Sequence, residues 1–254
     1  MNDMVVGASA DEAAAALTAA LAAQADAVRA AGQAAYLKSS LQFLGVKVPA
    51  VRRTVRSWLK AARPDHAHLI AVADALWAGE GADGRAVFEC RLAAVEVLHG
   101  APALLGAADL ARIEALLREC GTWALVDPLA GWVVGEIARR DPEATLPVLD
   151  RWVSDRDFWV RRSAVLALGR LLAAGQEQDR FFAYATRLLP EKEFFIRKVI
   201  GWVMRDEAGR QPAAVEAWLR ANMAQMNLVT LREPLRRFPP NLAAELRACY
   251  DTRR

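Results

Sequence analysis

The sequence holds little that would mark a secreted, membrane-spanning or metal-bound protein. Its three cysteines, Cys90, Cys120 and Cys249, are odd in number and unclustered, so neither a disulfide framework nor a zinc site is expected. Long hydrophobic runs are missing. The alanine-rich stretch Ala13 to Ala23 is too short and too weakly hydrophobic to span a bilayer. Asp3, Asp11 and Glu12 stand where a secretory leader would carry positive charge, which points to a cytosolic protein. His66-x-His68 has no cysteine or carboxylate motif to complete a metal site, so surface histidines are expected. Gly79 to Gly81 and Asp83-Gly84 are followed by no Gly-Lys-Ser/Thr, and they read as a turn rather than a phosphate loop. Period-2 alternation is almost absent, which removes β-rich folds. Lysine is scarce too, 5 against 28 arginines, a bias read chiefly as the mark of a GC-rich genome.

What is present is apolar and helical in rhythm. With 254 residues, 54% apolar and 25% charged, the chain excludes global disorder and can bury a core as one large domain or one extended array. Charge is unevenly spread. Residues 1–150 carry 14 basic and 18 acidic side chains, residues 151–254 carry 19 and 12. A polyanionic partner for the second half would explain that asymmetry, as would a solvated helix face. Apolar residues recur at three and four, as in Ala93-Val97 and Val165-Leu168-Leu172. Breaks fall at Gly45/Pro49, Pro64, Gly79 to Gly84, Gly100/Pro102, Gly121, Pro142, Gly175, Pro190, Pro212 and Pro239/Pro240. About a dozen short helices are expected in an all-α class.

A repeat underlies the pattern. The segments Phe88 to Leu98, Phe158 to Leu168 and Phe194 to Met204 resemble one another, and a further unit begins at Trp123. A period near 35 to 40 built from helix pairs is the signature of HEAT-type solenoids. The expectation is a superhelical solenoid over residues 1–254, one domain with a concave face for long ligands and a peripheral N-terminal helix near 8–31. Asp127, Arg162 and Lys198 each lie four residues after an aromatic residue, namely Trp123, Phe158 and Phe194. Residues at i and i+4 share a helix face, and Trp202 extends the last stripe by a turn. One face of adjacent repeats thus carries an acid, two bases and indoles; core packing with a charged rim is the alternative. Trp58, Trp77, Trp132, Trp152 and Trp218 are expected in the core.

Several blocks resemble the HEAT-like DNA alkylation repair glycosylases (AlkD-like). They are Tyr36-Leu-Lys-Ser-Ser-Leu-Gln-Phe-Leu-Gly-Val-Lys-Val-Pro49, Trp123-x-x-x-Asp127, Phe158-Trp-Val-Arg-Arg162, Lys192-Glu-Phe-Phe-Ile-Arg-Lys-Val-Ile-Gly-Trp202, Pro212-x-x-Val215 and Leu231-Arg-Glu233. They recur in family order over roughly residues 30 to 238. The resemblance implies a monofunctional glycosylase that removes cationic N3- or N7-alkylated purines from duplex DNA. It implies a monomer with no cofactor and no metal, and a duplex cradled in the concave face rather than a base inserted in a tight pocket. Asp127 then matches the catalytic carboxylate and Arg162 the arginine beside the lesion. Trp123 and Trp202 match aromatic walls against the deoxyribose. Tyr36, Arg161, Lys198 and Arg205 fall along the DNA path.

The chemistry explains why those residue types would suffice. Alkylation at N3 or N7 already makes the purine a good leaving group, so no general acid is needed. An ionised carboxylate can stabilise the deoxyribosyl cation and orient water, while indole faces favour developing positive charge. Arg162 could also clamp a backbone phosphate in bidentate fashion. The sequence departs from the family just before the acid, where Thr122-Trp123-Ala124-Leu125-Val126-Asp127 stands in place of Trp-Trp-Asp before the Val-Asp pair. Pro128 follows, and an Asp N-cap with Pro at N1 is a common helix start. Asp127 could therefore cap a helix that begins at Pro128. The rival functional reading is a non-catalytic HEAT-repeat scaffold that binds DNA or protein.

Overall fold

The computed structural model describes residues 7–253; of the acidic residues near the start, Asp3 lies outside them. Among the described residues the chain is all-helical. Its β features are the isolated bridges Glu80↔Ala86, which closes the turn expected at Gly79 to Gly84, and Gln42↔Val87, which ties the segment after Tyr36 to the end of that turn. No described helix is long and apolar enough to cross a membrane. Two compact units divide the chain, Met1–Val133 and Val134–Arg254.

In the first unit the N-terminal stretch forms two helices, Ala10–Ala22 and Ala27–Leu37. Ser9 and Glu12 close a reciprocal capping box on the first, and Asp26 accepts from Arg29 N at 2.9 Å to start the second. Leu17 and Leu21 are buried as the first helix packs on Val48–Ala62 and His66–Trp77. The helix Phe88–Gly100 packs against those same two helices, and residues Phe88 to Leu98 are buried on nearly every side. A helix that is apolar all round belongs in an interior, yet this one carries Glu89 and Glu96.

In the second unit Phe158–Ala167 packs on Phe194–Ala208, which in turn packs on Pro212–Ala221 and Leu228–Leu235. Thr230 and Glu233 face the middle of Phe194–Ala208 at Gly201. A Cβ there would meet the Thr230 carbonyl oxygen at 2.9 Å and Glu233 Cγ at 3.1 Å. Glycine is what allows these two helices to approach so closely.

The repeat register is real at the level of helix starts. Phe88, Trp123, Phe158 and Phe194 are each the first residue of a helix. Trp58, Trp77, Trp152 and Trp218 are buried as expected, but Trp132 is 50% exposed. Its place in the chain gives the reason. Leu129–Val134 is a π-helical turn, and this wider turn shifts side chains out of the 3.6-residue rhythm from which core positions are read.

Candidate active site

The helix Trp123–Pro128 begins at Thr122, whose hydroxyl accepts from Ala124 N at 3.4 Å. Asp127 therefore lies inside this helix and does not cap one starting at Pro128. The tendency of a residue before proline to leave the helical region is overridden by burial. Leu125, Val126, Leu129 and Ala130 are fully buried, so the chain continues helically through the proline. The N–H of Leu129 reaches the carbonyls of Leu125 and Val126, and the π-turn follows at once. Such turns recur at functional sites. Trp123 and Asp127, both half-buried, share one face of this helix.

Tyr36, near the end of Ala27–Leu37, is 73% exposed and meets Trp123 edge to face, centroids 6.1 Å apart and planes at 83°. The loop after Tyr36 is held by a group that sequence reasoning missed. Glu89, completely buried, accepts the main-chain N–H groups of Leu44, Gly45 and Val46 at 2.8, 2.8 and 3.1 Å. Three converging donors compensate the burial of a carboxylate. Gly45 sits at φ 80°, and a Cβ there would lie 2.1 Å from the Asp26 carbonyl oxygen. The first unit thus brings together Tyr36, Trp123 and Asp127, with Glu89 fixing the loop behind them.

The second unit gathers the remaining predicted residues. Asp157 caps Phe158–Ala167 by accepting from Trp159 N at 2.8 Å. Arg161 then forks onto Glu191, Nε–Oε1 2.6 Å and Nη2–Oε2 2.7 Å, and its Nη1 donates to the carbonyls of Asp155 and Arg156. Its donors are committed within the chain. Arg162 is 1% exposed; Nη1 donates to the Phe195 carbonyl at 2.7 Å, and the guanidinium lies 5.9 Å from the Phe195 ring and 5.6 Å from Trp202. So little exposure leaves no surface for the phosphate clamp expected of it. Lys198 Nζ is 5.5 Å from the Trp202 ring as well.

Lys198 and Arg205 share one acceptor, Glu233, at 2.5 and 3.2 Å, and Arg236 approaches the same carboxylate at 3.4 Å. Burial pushes the Glu233 carboxyl up. The Lys198 hydrogen bond and the charges of Lys198, Arg236 and Arg205 outweigh that and hold it below the ordinary carboxylate range. No role was read for Glu233 from sequence, although a signal existed. It falls 35 residues after Lys198, one further repeat along the register that picked out Asp127, Arg162 and Lys198.

The motif Phe-Phe-Ile-x-Lys-x-x-Gly-Trp now has a physical content. Its second Phe offers a carbonyl to Arg162, its Lys clamps Glu233, its Gly admits the neighbouring helix and its Trp lies beneath two cations. His66 bonds Asp109 at 2.8 Å, and His68 lies against Trp58. No cluster of three or more His, Cys, Asp or Glu that could hold a metal occurs among the described residues.

The family described as "DNA alkylation repair enzyme" matches residues 17–238. The chain belongs to this family. Among solved structures it is similar to a predicted DNA alkylation repair enzyme from Enterococcus faecalis, with TM-score 0.73 and 19% identity, over 83% of this chain and 95% of that one. It is also similar to AlkD2 from Streptococcus mutans, with TM-score 0.56 and 15% identity, over 81% and 89%. A third likeness is smu.31 from Streptococcus mutans, with TM-score 0.55 and 17% identity, over 78% and 92%. At these identities the structural likeness concerns the fold, an all-α helical-repeat architecture. No curated protein matches the chain in sequence. Family membership places the chain in DNA alkylation repair, with DNA as partner.

Proposed function

We propose that this family member is a monofunctional DNA glycosylase that excises cationic N3- and N7-alkylated purines from duplex DNA. The observation that carries the reading is a carboxylate, Asp127, on the same helix face as Trp123, with the Tyr36 ring against that indole. The C1′–N bond breaks and its electron pair passes to the purine, which departs neutral because the alkylated ring was positively charged. The deoxyribosyl cation left behind is stabilised by the Asp127 carboxylate and by the indole face. Water held by Asp127 adds its oxygen to C1′ and loses its proton to the carboxylate or to bulk water. No general acid and no cofactor enter these steps.

Arg162 acts as a positioning residue in this reading. It fixes the start of Phe194–Ala208 and sets a positive charge over Trp202, the residue to which the family resemblance gives the role of an aromatic wall against the deoxyribose. Tyr36, Lys198 and Arg205 border the DNA path, and Arg161 supports it through Glu191.

The test is Asp127→Asn, which keeps size and removes charge. Single-turnover release of an alkylpurine at saturating enzyme should fall by roughly two or more orders of magnitude. Duplex affinity should persist or rise, because a charge repelling phosphate is gone. A folded Asp127→Asn protein with unchanged release would overturn the assignment and favour the non-catalytic scaffold.

A further inference from the structure

Trp132 lies five residues beyond Asp127, half exposed, with its ring against His99 at a centroid distance of 5.5 Å. It lines a groove of about 700 Å³ that also takes in Arg52, Arg56 and Lys60 from the helix Val48–Ala62. Those three cations recur every four residues and so share one face of the helix, with about 6 Å of rise between successive members. Arg52 is held through Nε by Glu96 Oε1 at 2.8 Å, and Glu96 is buried with His99 at 3.6 Å on its other oxygen. The groove's acid is thus turned to fixing Arg52. No ion pair ties Arg56 or Lys60 to a carboxylate among the described residues, and both are exposed.

A row of exposed cations beside an accessible indole has two complementary demands. The cations call for a chain of anions at regular spacing, and the indole calls for a flat ring whose face is open. Duplex DNA meets only the first, because its base faces are stacked on their neighbours. A strand with unpaired bases meets both: phosphates along Arg52, Arg56 and Lys60, and a base on Trp132. An acidic peptide would match the charge and leave the indole unused. The first 150 residues are net acidic, 14 basic against 18 acidic side chains, so this row is a local concentration of positive charge rather than part of a generally basic surface.

We propose that this groove binds an unpaired segment of a DNA strand, as a site additional to the one around Asp127. The measurement that tests it contains no excision step, so its failure leaves the Asp127 assignment standing, and the reverse holds too. Fluorescence anisotropy of a labelled oligothymidylate is followed against the full chain from about 50 to about 200 mM salt. Arg56→Ala with Lys60→Ala should weaken binding about tenfold and lower the log–log salt slope by about 1.4, two phosphates at about 0.7 each. Trp132→Ala should weaken it by roughly 5- to 100-fold, Trp132→Phe should restore most of the loss, and neither should change affinity for a fully paired duplex by more than about twofold. All these positions are exposed, and unchanged melting temperatures will show that the variants fold.

Absence of oligothymidylate binding by the wild type, or wild-type affinity and slope in the variants, overturns the proposal. So does an equal loss of duplex affinity on Trp132→Ala. Displacement of the strand by thymidine monophosphate at equal nucleotide concentration would overturn it in favour of a free-nucleotide site.

Discussion

Arg162 donates from Nη1 to the main-chain carbonyl of Phe195 at 2.7 Å while its guanidinium lies 5.6 Å from the Trp202 ring. An arginine can do both because its donors lie in one plane and the face of that plane is free to stack. A lysine cannot. Arg162→Lys should therefore lower stability by about 2 to 4 kcal/mol, since a buried ammonium cannot keep both the Phe195 hydrogen bond and the contact with the indole. The salt slope of duplex binding should stay at the wild-type value. If Arg162 were a phosphate contact the pattern would invert, with a flatter slope and an unchanged melting temperature. Calorimetry beside a salt titration distinguishes the two.

Glu233 gathers Lys198, Arg205 and Arg236, and its carboxyl is held below the ordinary glutamate value of 4.5. A carboxyl depressed on folding binds fewer protons in the folded chain than in the unfolded one. Its stabilisation is present in full above 4.5 and is lost as pH falls through the lower folded value. Glu233→Gln should cost about 1 to 3 kcal/mol at neutral pH, a figure reduced because the cations are partly solvated. That gap from wild type should close in acid below the ordinary glutamate range. Thermal melts of both proteins across pH check it, and a gap independent of pH would contradict the ion cluster. Neutralising Lys198 and Arg205 together should likewise lower stability as well as the salt slope.

Glu89 holds three consecutive amides between Tyr36 and the helix Val48–Ala62. Glutamine is nearly isosteric, yet its NH2 must face at least one of those N–H donors. Glu89→Gln should destabilise the first unit by about 2 to 4 kcal/mol. Amide exchange at residues 44 to 46 should accelerate at least tenfold, which corresponds to about 1.4 kcal/mol of lost protection. If exchange there is unchanged, the latch does not restrain this loop.

Much of the fold was legible because helix starts leave local marks. Aromatic residues at 88, 123, 158 and 194 each open a helix, and the capping residues Asp157 and Glu193 precede two of them. The i, i+4 relation between Trp123 and Asp127 survives for the same reason, since both sit in one short helix. The reading of Asp127 as a cap failed because Asp-Pro is a local signal, and burial of Leu125, Val126, Leu129 and Ala130 outweighed it.

The sequence by itself determined the helical class, the repeat register and the residues that family resemblance attaches to the site, because periodicity and capping act over a few residues. Only the tertiary structure decided where buried charges find partners. Arg162 turns inward to the Phe195 carbonyl and Lys198 binds Glu233, while Glu89 closes on the amides after Tyr36. Those partners lie more than 30 positions away in the chain, and a carboxylate taken out of water must be met by whichever donors packing brings to it. Trp132 was settled in the same way, since a π-turn of six residues changed which side of the chain it occupies.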